Sequence, residues 1–355
     1  MSESHHQAAA GPIVIAIDAM GGDHGPPEII PALSRVLELR PDVRFRVYGD
    51  QGKISGELEK HTSLARAVTV IHTDKKVESH DKPSAALRAS KGTSMRMAIE
   101  SVEAGEAMAV VSAGNTGALM ALAKIVFKTL PGIHRPAIAS VMPGIKGESI
   151  MLDLGANVIV DAEALVQFAV LGAVFAKKQK KIDKPTVGLL NVGSEEIKGP
   201  EHIRAAAEIL KKIEFPGTYH GFVEGDDIMK GTVDVIVADG YAGNVALKTA
   251  EGVGLLIKHY FKESFNSPLA WLGGLIAYSS LKKLKKKTDP RLYNGGVFLG
   301  LNGVCVKSHG GADSLAFSQA VLLAVRLARY GYINEVIEDM NRVMQQEKFL
   351  TPEAD

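Results

Sequence analysis

The chain has 355 residues, with 41 Lys and Arg against 40 Asp and Glu, a formal net charge of +1 and 46% hydrophobic residues. That length buries a large core and allows two or three domains or one big α/β unit, while the balanced charge excludes a whole-molecule field directed at nucleic acid, so any charged partner has to be met by a local patch. A lone cysteine, Cys305, excludes an intramolecular disulfide framework and a Cys-only metal site, and no apolar stretch approaches the roughly 20 residues needed to span a bilayer.

Residues 1–11, which lack a signal-peptide core, read as a disordered leader. The run IVIAI at 13–17 is continuously apolar, the pattern of a strand covered on both faces in a parallel sheet, and it ends in Asp18. Gly21, Gly22 and Gly25 follow with Asp23 and His24, more small and polar residues than a tight turn needs. Pro26 and Pro27 pre-set the first turn of a helix with Ile29, Ile30, Leu33, Val36 and Leu37 on its apolar side. Strands are expected at 43–48 and 68–73 with a short polar helix between them, and 83–103 reads as one or two helices with Lys91, Thr93 and Ser94 near their junction.

Residues 108–111 form a short buried strand, and SAGNTGA at 112–118 opens a helix through Leu119, Leu122, Ile125 and Val126. The same strand, loop, helix unit recurs at 150–154, 187–192 and 233–238, ending in DLGAN at 153–157, NVGSEEIKG at 191–199 and DGYAGN at 239–244. Any one such loop is also what turns and helix caps demand. Their repetition predicts one shared cleft at the carboxyl ends of the strands, where open α/β sheets bind ligands.

From 252 to 287 the rhythm breaks. Leu255, Leu256 and Phe261 lead into PLAWLGGLIA at 268–277, where Leu269, Trp271, Leu272, Leu275 and Ile276 make a short apolar tip, and Lys282, Lys283, Lys285, Lys286 and Lys287 follow around Leu284. The stretch 252–290 is expected to be a helical excursion that contacts an anionic membrane surface; a dimer contact or a buried hairpin with a solvated charged end is the alternative. YNGGVFLGLNGVCV at 293–306 is strand-like, KSHGGAD at 307–313 is the last polar loop, and two helices follow. The expected fold is three-layer α/β/α with a mostly parallel, Rossmann-like central sheet, forming one domain over 12–350, with one lobe or two.

Several chemistries lack their motifs. There is no G-x-G-x-x-G after the first strand, no G-x-x-x-x-G-K-[ST], no H-E-x-x-H and no G-x-S-x-G. Cys305 lies in an apolar strand, where a thiol behaves as a small hydrophobe. What remains is a set of backbone amides, helix N-termini and a few cations, an inventory that suits an oxyanion such as phosphate. Ser112, Asn115 and Thr116 stand where a helix begins and could donate to phosphate or only cap the helix. Lys198 and Lys307 could supply charge, His309 could move a proton near neutral pH, and Asn244 is either a donor to a developing oxyanion or a capping residue.

AIDAMGGDHGP at 16–26, SAGNTGA at 112–118, LDLGAN at 152–157, NVGSEEIKG at 191–199, ADGYAGNVALKTAEG at 238–252 and KSHGGAD at 307–313 together give the chain a close resemblance to the PlsX-type phosphate acyltransferases of bacterial phospholipid synthesis. It runs from about 13 to 329. The resemblance implies a fold similar to phosphotransacetylases and the isocitrate dehydrogenase group, a homodimer, and a cytoplasmic protein loosely attached to the inner face of the cell membrane. The implied reaction exchanges inorganic phosphate with a long-chain acyl carrier protein thioester, giving acyl phosphate and free carrier protein, with no cofactor and no metal. The product's consumer, the glycerol-phosphate acyltransferase, sits in the membrane. Phosphate is itself a nucleophile at neutral pH, so positioning and charge stabilisation suffice. On this reading Lys198, Asn244 and His309 are catalytic, while Asp18, Gly21, Gly22, His24, Ser112, Asn115, Thr116, Asp239 and Lys307 form the substrate-binding set. The rivals are a metal- and NAD(P)-dependent dehydrogenase with Asp18, Asp153 or Asp239 as metal ligands, and a non-catalytic membrane-associated scaffold.

Overall fold

A computed structural model describes residues 11–264, 277–287, 289–329 and 331–350. The leader at 1–10 and the expected membrane-contact residues Leu269, Trp271, Leu272, Leu275 and Ile276 lie outside the described residues.

The apolar run at the start of the chain forms β1 (Ile13–Asp18), with Ile15, Ala16 and Ile17 fully buried. It pairs in parallel with β2 (Val43–Gly49) on one side and β4 (Ala109–Ser112) on the other. With β3 (Val68–His72), β5 (Ala137–Met142), β6 (Ser149–Leu152), β7 (Thr186–Leu190), β8 (Thr218–Val223), β9 (Val235–Val237), β10 (Gly296–Leu299) and β11 (Val304–Lys307) it makes an 11-stranded sheet in the order β3-β2-β1-β4-β11-β10-β5-β6-β9-β7-β8. Helices cover both faces, as expected of α/β sequence in which strand and helix patterns alternate. One face packs on α1 (Pro26–Leu39), α6 (Ala162–Lys180) and α11 (Ser314–Arg329). The other packs on α4 (Ser94–Glu103), α5 (Thr116–Phe127) and the start of α9 (Gly240–Glu263). Helix α6 is buried on every side from Ala164 to Ala176, which is why its sequence is apolar all round rather than striped.

Two strands have no counterpart in the sequence reading. β5 comes from AIASVM after a proline, and β8 from TYHGFV, whose His and Gly carry little strand preference. β5 matters for the site. The pairings β11 to β10, β10 to β5 and β5 to β6 are all antiparallel, so the parallel set β6, β9, β7, β8 runs against the parallel set β3, β2, β1, β4, β11. The six polar loops therefore do not stand in one row; they fall into two groups at differently directed strand ends. Sheet twist of roughly 20–25° per strand turns β9 by about 100–125° relative to β4, five places away in the sheet, which swings the second group back toward the first.

The helical excursion has deeper roots than 252–290. Helix α9 begins at Gly240 and runs without a break to Glu263. A second helix, α10 (Tyr278–Lys287), precedes the return to β10. No described helix is long and apolar enough to cross a membrane.

Candidate active site

At the carboxyl ends of three neighbouring strands, Asp18, Ser112 and Lys307 are register partners. Adjacent parallel strands put register partners on the same face, so the sheet itself assembles a carboxylate, a hydroxyl and an ammonium in one line. Asp18 is buried, and its oxygens accept from Ser112 Oγ at 2.6 Å, Ser94 Oγ at 2.7 Å and the Met20 amide at 3.3 Å. Burial pushes its carboxyl above the usual range, against these hydrogen bonds. Lys307 donates to the carbonyls of Ala113 and Ser308. Desolvation brings its ammonium down to about 8, opposed by the charges of Asp18 and Asp23 and reinforced by Lys248 on α9.

The loops around this row are packed backbone to backbone. A Cβ on Gly21 would lie 2.6 Å from Asp18 Oδ2 and 2.7 Å from the Gly114 amide. Gly22, at φ +85°, has room for no side chain against the Gly310 carbonyl, whose oxygen accepts from the Asp23 amide at 2.9 Å. Asp23, exposed on the loop like His24, thus joins the site through its charge on Lys307.

The SAGNTGA segment spends two of its three expected phosphate donors internally. Ser112 Oγ donates to Asp18 and accepts from the Gly114 amide at 3.0 Å. Asn115 caps α5 by accepting from the Ala118 amide at 3.0 Å, and its amide group donates to the carbonyls of Ser79 and Asp81 at 2.8 and 3.1 Å. Both side chains hold the loop in shape. Thr116, the first residue of α5, is exposed, and a helix start with bare amides favours an anion beside it. His309 is also exposed; its Nδ1 accepts from the Gly311 amide at 3.1 Å, which leaves Nε2 as the nitrogen that can face a ligand.

The second group centres on Asp153, which is fully buried. It accepts from the amides of Ile138, Ala156 and Asn157 and from Asn157 Nδ2 at 2.6 to 3.1 Å, while burial pushes its pKa up. The start of α9 is pressed onto this loop: Asp239 caps the helix through the Ala242 amide at 2.8 Å, and Asn244 is exposed with its side chain against Gly155. On the third loop Asn191 donates to the carbonyls of Gly193 and Lys198, and exposed Lys198 pairs with Glu195 at 2.9 Å. The glutamate holds its ammonium above the usual lysine value.

Each of the three aspartates named as metal ligands in the dehydrogenase reading spends oxygens on local donors in a different place: Asp18 on two serines, Asp153 on a loop, Asp239 on a helix cap. Cys305 is buried and its thiol is pushed up by desolvation, the opposite of an activated nucleophile. Ser94 was legible only as part of a helix junction, and nothing in the sequence placed it against a carboxylate 76 positions earlier.

Residues 13–335 match the family described as "Fatty acid synthesis protein". A protein named phosphate acyltransferase from Parvibaculum lavamentivorans is 51% identical over 333 residues, 93% of this chain and 92% of its own length. Another of that name from Rhodospirillum centenum is 51% identical over 343 residues, 96% of this chain and 97% of its own. Among solved structures, a phosphotransacetylase from Streptococcus pyogenes superposes with a TM-score of 0.60 at 16% identity, over 89% of this chain and 94% of that one. The EutD phosphotransacetylase from Staphylococcus aureus gives 0.59 at 18%, over 89% and 94%. At these identities the structural likeness speaks for the fold.

Proposed function

This chain belongs to the phosphate acyltransferase family of fatty acid synthesis and is an acyltransferase, and from that premise we propose that it transfers a long-chain acyl group from acyl carrier protein to inorganic phosphate for phospholipid synthesis. The observation that carries the proposal is the row Asp18, Ser112, Lys307 beside the start of α5. It supplies an ammonium tied to the Ala113 carbonyl, three residues ahead of the helix start, and helix-start amides with an ammonium nearby are what an oxyanion needs.

Thr116, the first amides of α5 and Lys307 hold phosphate, with Asp18, Ser112 and Asn115 keeping the pocket in shape. A phosphate oxygen attacks the thioester carbonyl carbon, charge gathers on the carbonyl oxygen, and the carbon–sulfur bond then breaks. Asn244 and Lys198 stabilise that oxygen. The hydrogen of monohydrogen phosphate passes to the departing thiolate, with His309 as its carrier, so the products are acyl phosphate and the carrier thiol. No side chain forms a bond to the acyl group. Mixing protein, acyl carrier protein thioester and phosphate should yield acyl phosphate; a trapped acyl adduct on a side chain would sink the mechanism.

The same assay carries a pH prediction. Lys307 is charged below its value of about 8 and neutral above it, so affinity for monohydrogen phosphate, corrected for the ion's own titration near neutrality, should be flat at lower pH and fall about tenfold per unit at higher pH. Phosphate is already almost wholly dianionic there, so its own titration cannot produce the fall. An affinity that stays level to pH 9.5 or so, about 1.5 units above the lysine value, would take Lys307 off the pocket.

The arm supports peripheral contact with an anionic membrane from the cytoplasmic side. Val253, Leu255, Leu256, Ile257, Tyr260 and Phe261 are exposed along α9, and Lys282 and Lys283 are exposed on α10. Burying two aliphatic side chains in lipid is worth about 3–6 kcal/mol. Leu255→Asp with Ile257→Asp should therefore release the protein from anionic vesicles in a sedimentation assay while activity on soluble substrate persists. If vesicle binding holds and the particle mass halves instead, the arm is the homodimer contact.

A further inference from the structure

The short segment after α10 returns the chain from the arm to the sheet, and within it Asn294 reaches into the KSHGGAD loop. Its amide nitrogen donates to Ser308 Oγ at 2.8 Å and to the Ala316 carbonyl at 2.8 Å, and its oxygen accepts from the His309 amide at 3.0 Å. Two donations and one acceptance from a side chain this short are the property of an asparagine: Asp keeps the acceptor and loses both donors, and Ala loses everything.

What Asn294 holds is the peptide behind the Lys307 charge. Ser308 is fully buried, its amide donates to the Ser112 carbonyl at 2.9 Å, and its own carbonyl is one of the two acceptors of the Lys307 ammonium. Asn294 sits on the side of α11, through Ala316, and makes no hydrogen bond to Lys307, Thr116 or the α5 amides. We propose that Asn294 is a positioning residue for phosphate: by clamping Ser308 and His309 it fixes where the Lys307 ammonium points. The inference rests on the reading that Lys307 meets phosphate.

A neighbouring contact provides the control. Arg291 pairs with Asp289 at 2.7 Å within the same segment and joins it to Asp313 at 2.8 Å, the latter pair about two-fifths exposed at 42% and 43%, while the bonds to Ser308 and His309 come from Asn294.

The test is the affinity for inorganic phosphate, measured both as KM with phosphate and carrier thioester varied separately and as Kd by titration calorimetry with phosphate alone. Asn294→Ala should weaken phosphate about tenfold or more and leave the thioester KM unchanged, with any loss of kcat through the loosened His309 smaller than the loss of phosphate affinity. Asn294→Asp, of the same shape, should weaken phosphate similarly, and Arg291→Gln should leave both KM values within about twofold. A residue that only supports folding would shift the melting temperature and leave this split alone. Phosphate affinity within about twofold of wild type in a folded Asn294 variant, equal loss for both substrates, or failure of both variants to fold would each overturn the inference. If the wild type forms no acyl phosphate, the reaction assignment fails by itself, and the calorimetric Kd still decides the role of Asn294.

Discussion

Replacing Lys307 by Met is expected to lower kcat/KM for phosphate about 10²- to 10³-fold while the protein stays folded, the range found when one preorganised charge-stabilising donor is removed. Lys307 ends β11 in register with Ser112 and is the cation of the Asp18 row. Its stem lies in a desolvated place, as the drop of its ammonium to about 8 shows, so a methionine of similar length keeps the packing and loses the charge together with the two donations to the Ala113 and Ser308 carbonyls. Asp18 does not become an orphan in this variant. It retains the Ser94 and Ser112 hydroxyls and the Met20 amide, whereas removing Asp18 would strand two hydroxyls and a buried cation together. Steady-state kinetics with a melting curve on the same sample decide it: a folded variant within about fivefold of wild-type kcat/KM for phosphate would mean that the cation contributes too little to be an anion-holding group.

Gly243→Ala should be the most disruptive single-carbon change in the molecule's second loop group. Alanine in place of an exposed helical glycine ordinarily stabilises by up to about 1 kcal/mol. Here a Cβ would stand 1.8 Å from the Asp153 carbonyl oxygen and 3.0 Å from its carbon. That oxygen has nowhere to go, because the Asp153 amide donates to the Ala238 carbonyl, the Leu154 amide to the Ile138 carbonyl, and the Asp153 carboxylate anchors Ile138, Ala156 and Asn157. The helix has to lift by more than an ångström, taking Asp239 and Asn244 with it. A cost of about 3 kcal/mol, at the upper end for overpacking, is expected in chemical denaturation, together with loss of activity. Gly252→Ala, further along the same helix, meets nothing within 4 Å and should be neutral or stabilising. Equal behaviour of the two variants would refute the close docking of α9 on the Asp153 loop.

Whatever depends on a few neighbouring residues was readable from the chain alone. The strand at 13–18, the helices after each polar loop and the capping role open to Asn115 follow from apolar runs and local side-chain-to-amide bonds. The motifs carried the family as well. The strands lost to the reading were β5 and β8, and with β5 went the reversal of direction that divides the polar loops. Short strands such as these hold their shape by pairing with remote chain, which no local pattern records.

Partner choice separates the two kinds of knowledge most clearly. The sequence determined that Asp18, Ser112, Asn115, Lys198 and Lys307 would stand at strand ends, since polar residues after a buried apolar run mark where the strand stops. Which of them keep a free polar group for a ligand was decided only by tertiary structure: Ser94 and Ser112 converge on Asp18, the carbonyls of Ser79 and Asp81 occupy Asn115, and Asn294 arrives from the returning arm to hold Ser308. A buried polar atom takes whichever donor or acceptor the register brings within about 3 Å, and register is a property of the assembled sheet.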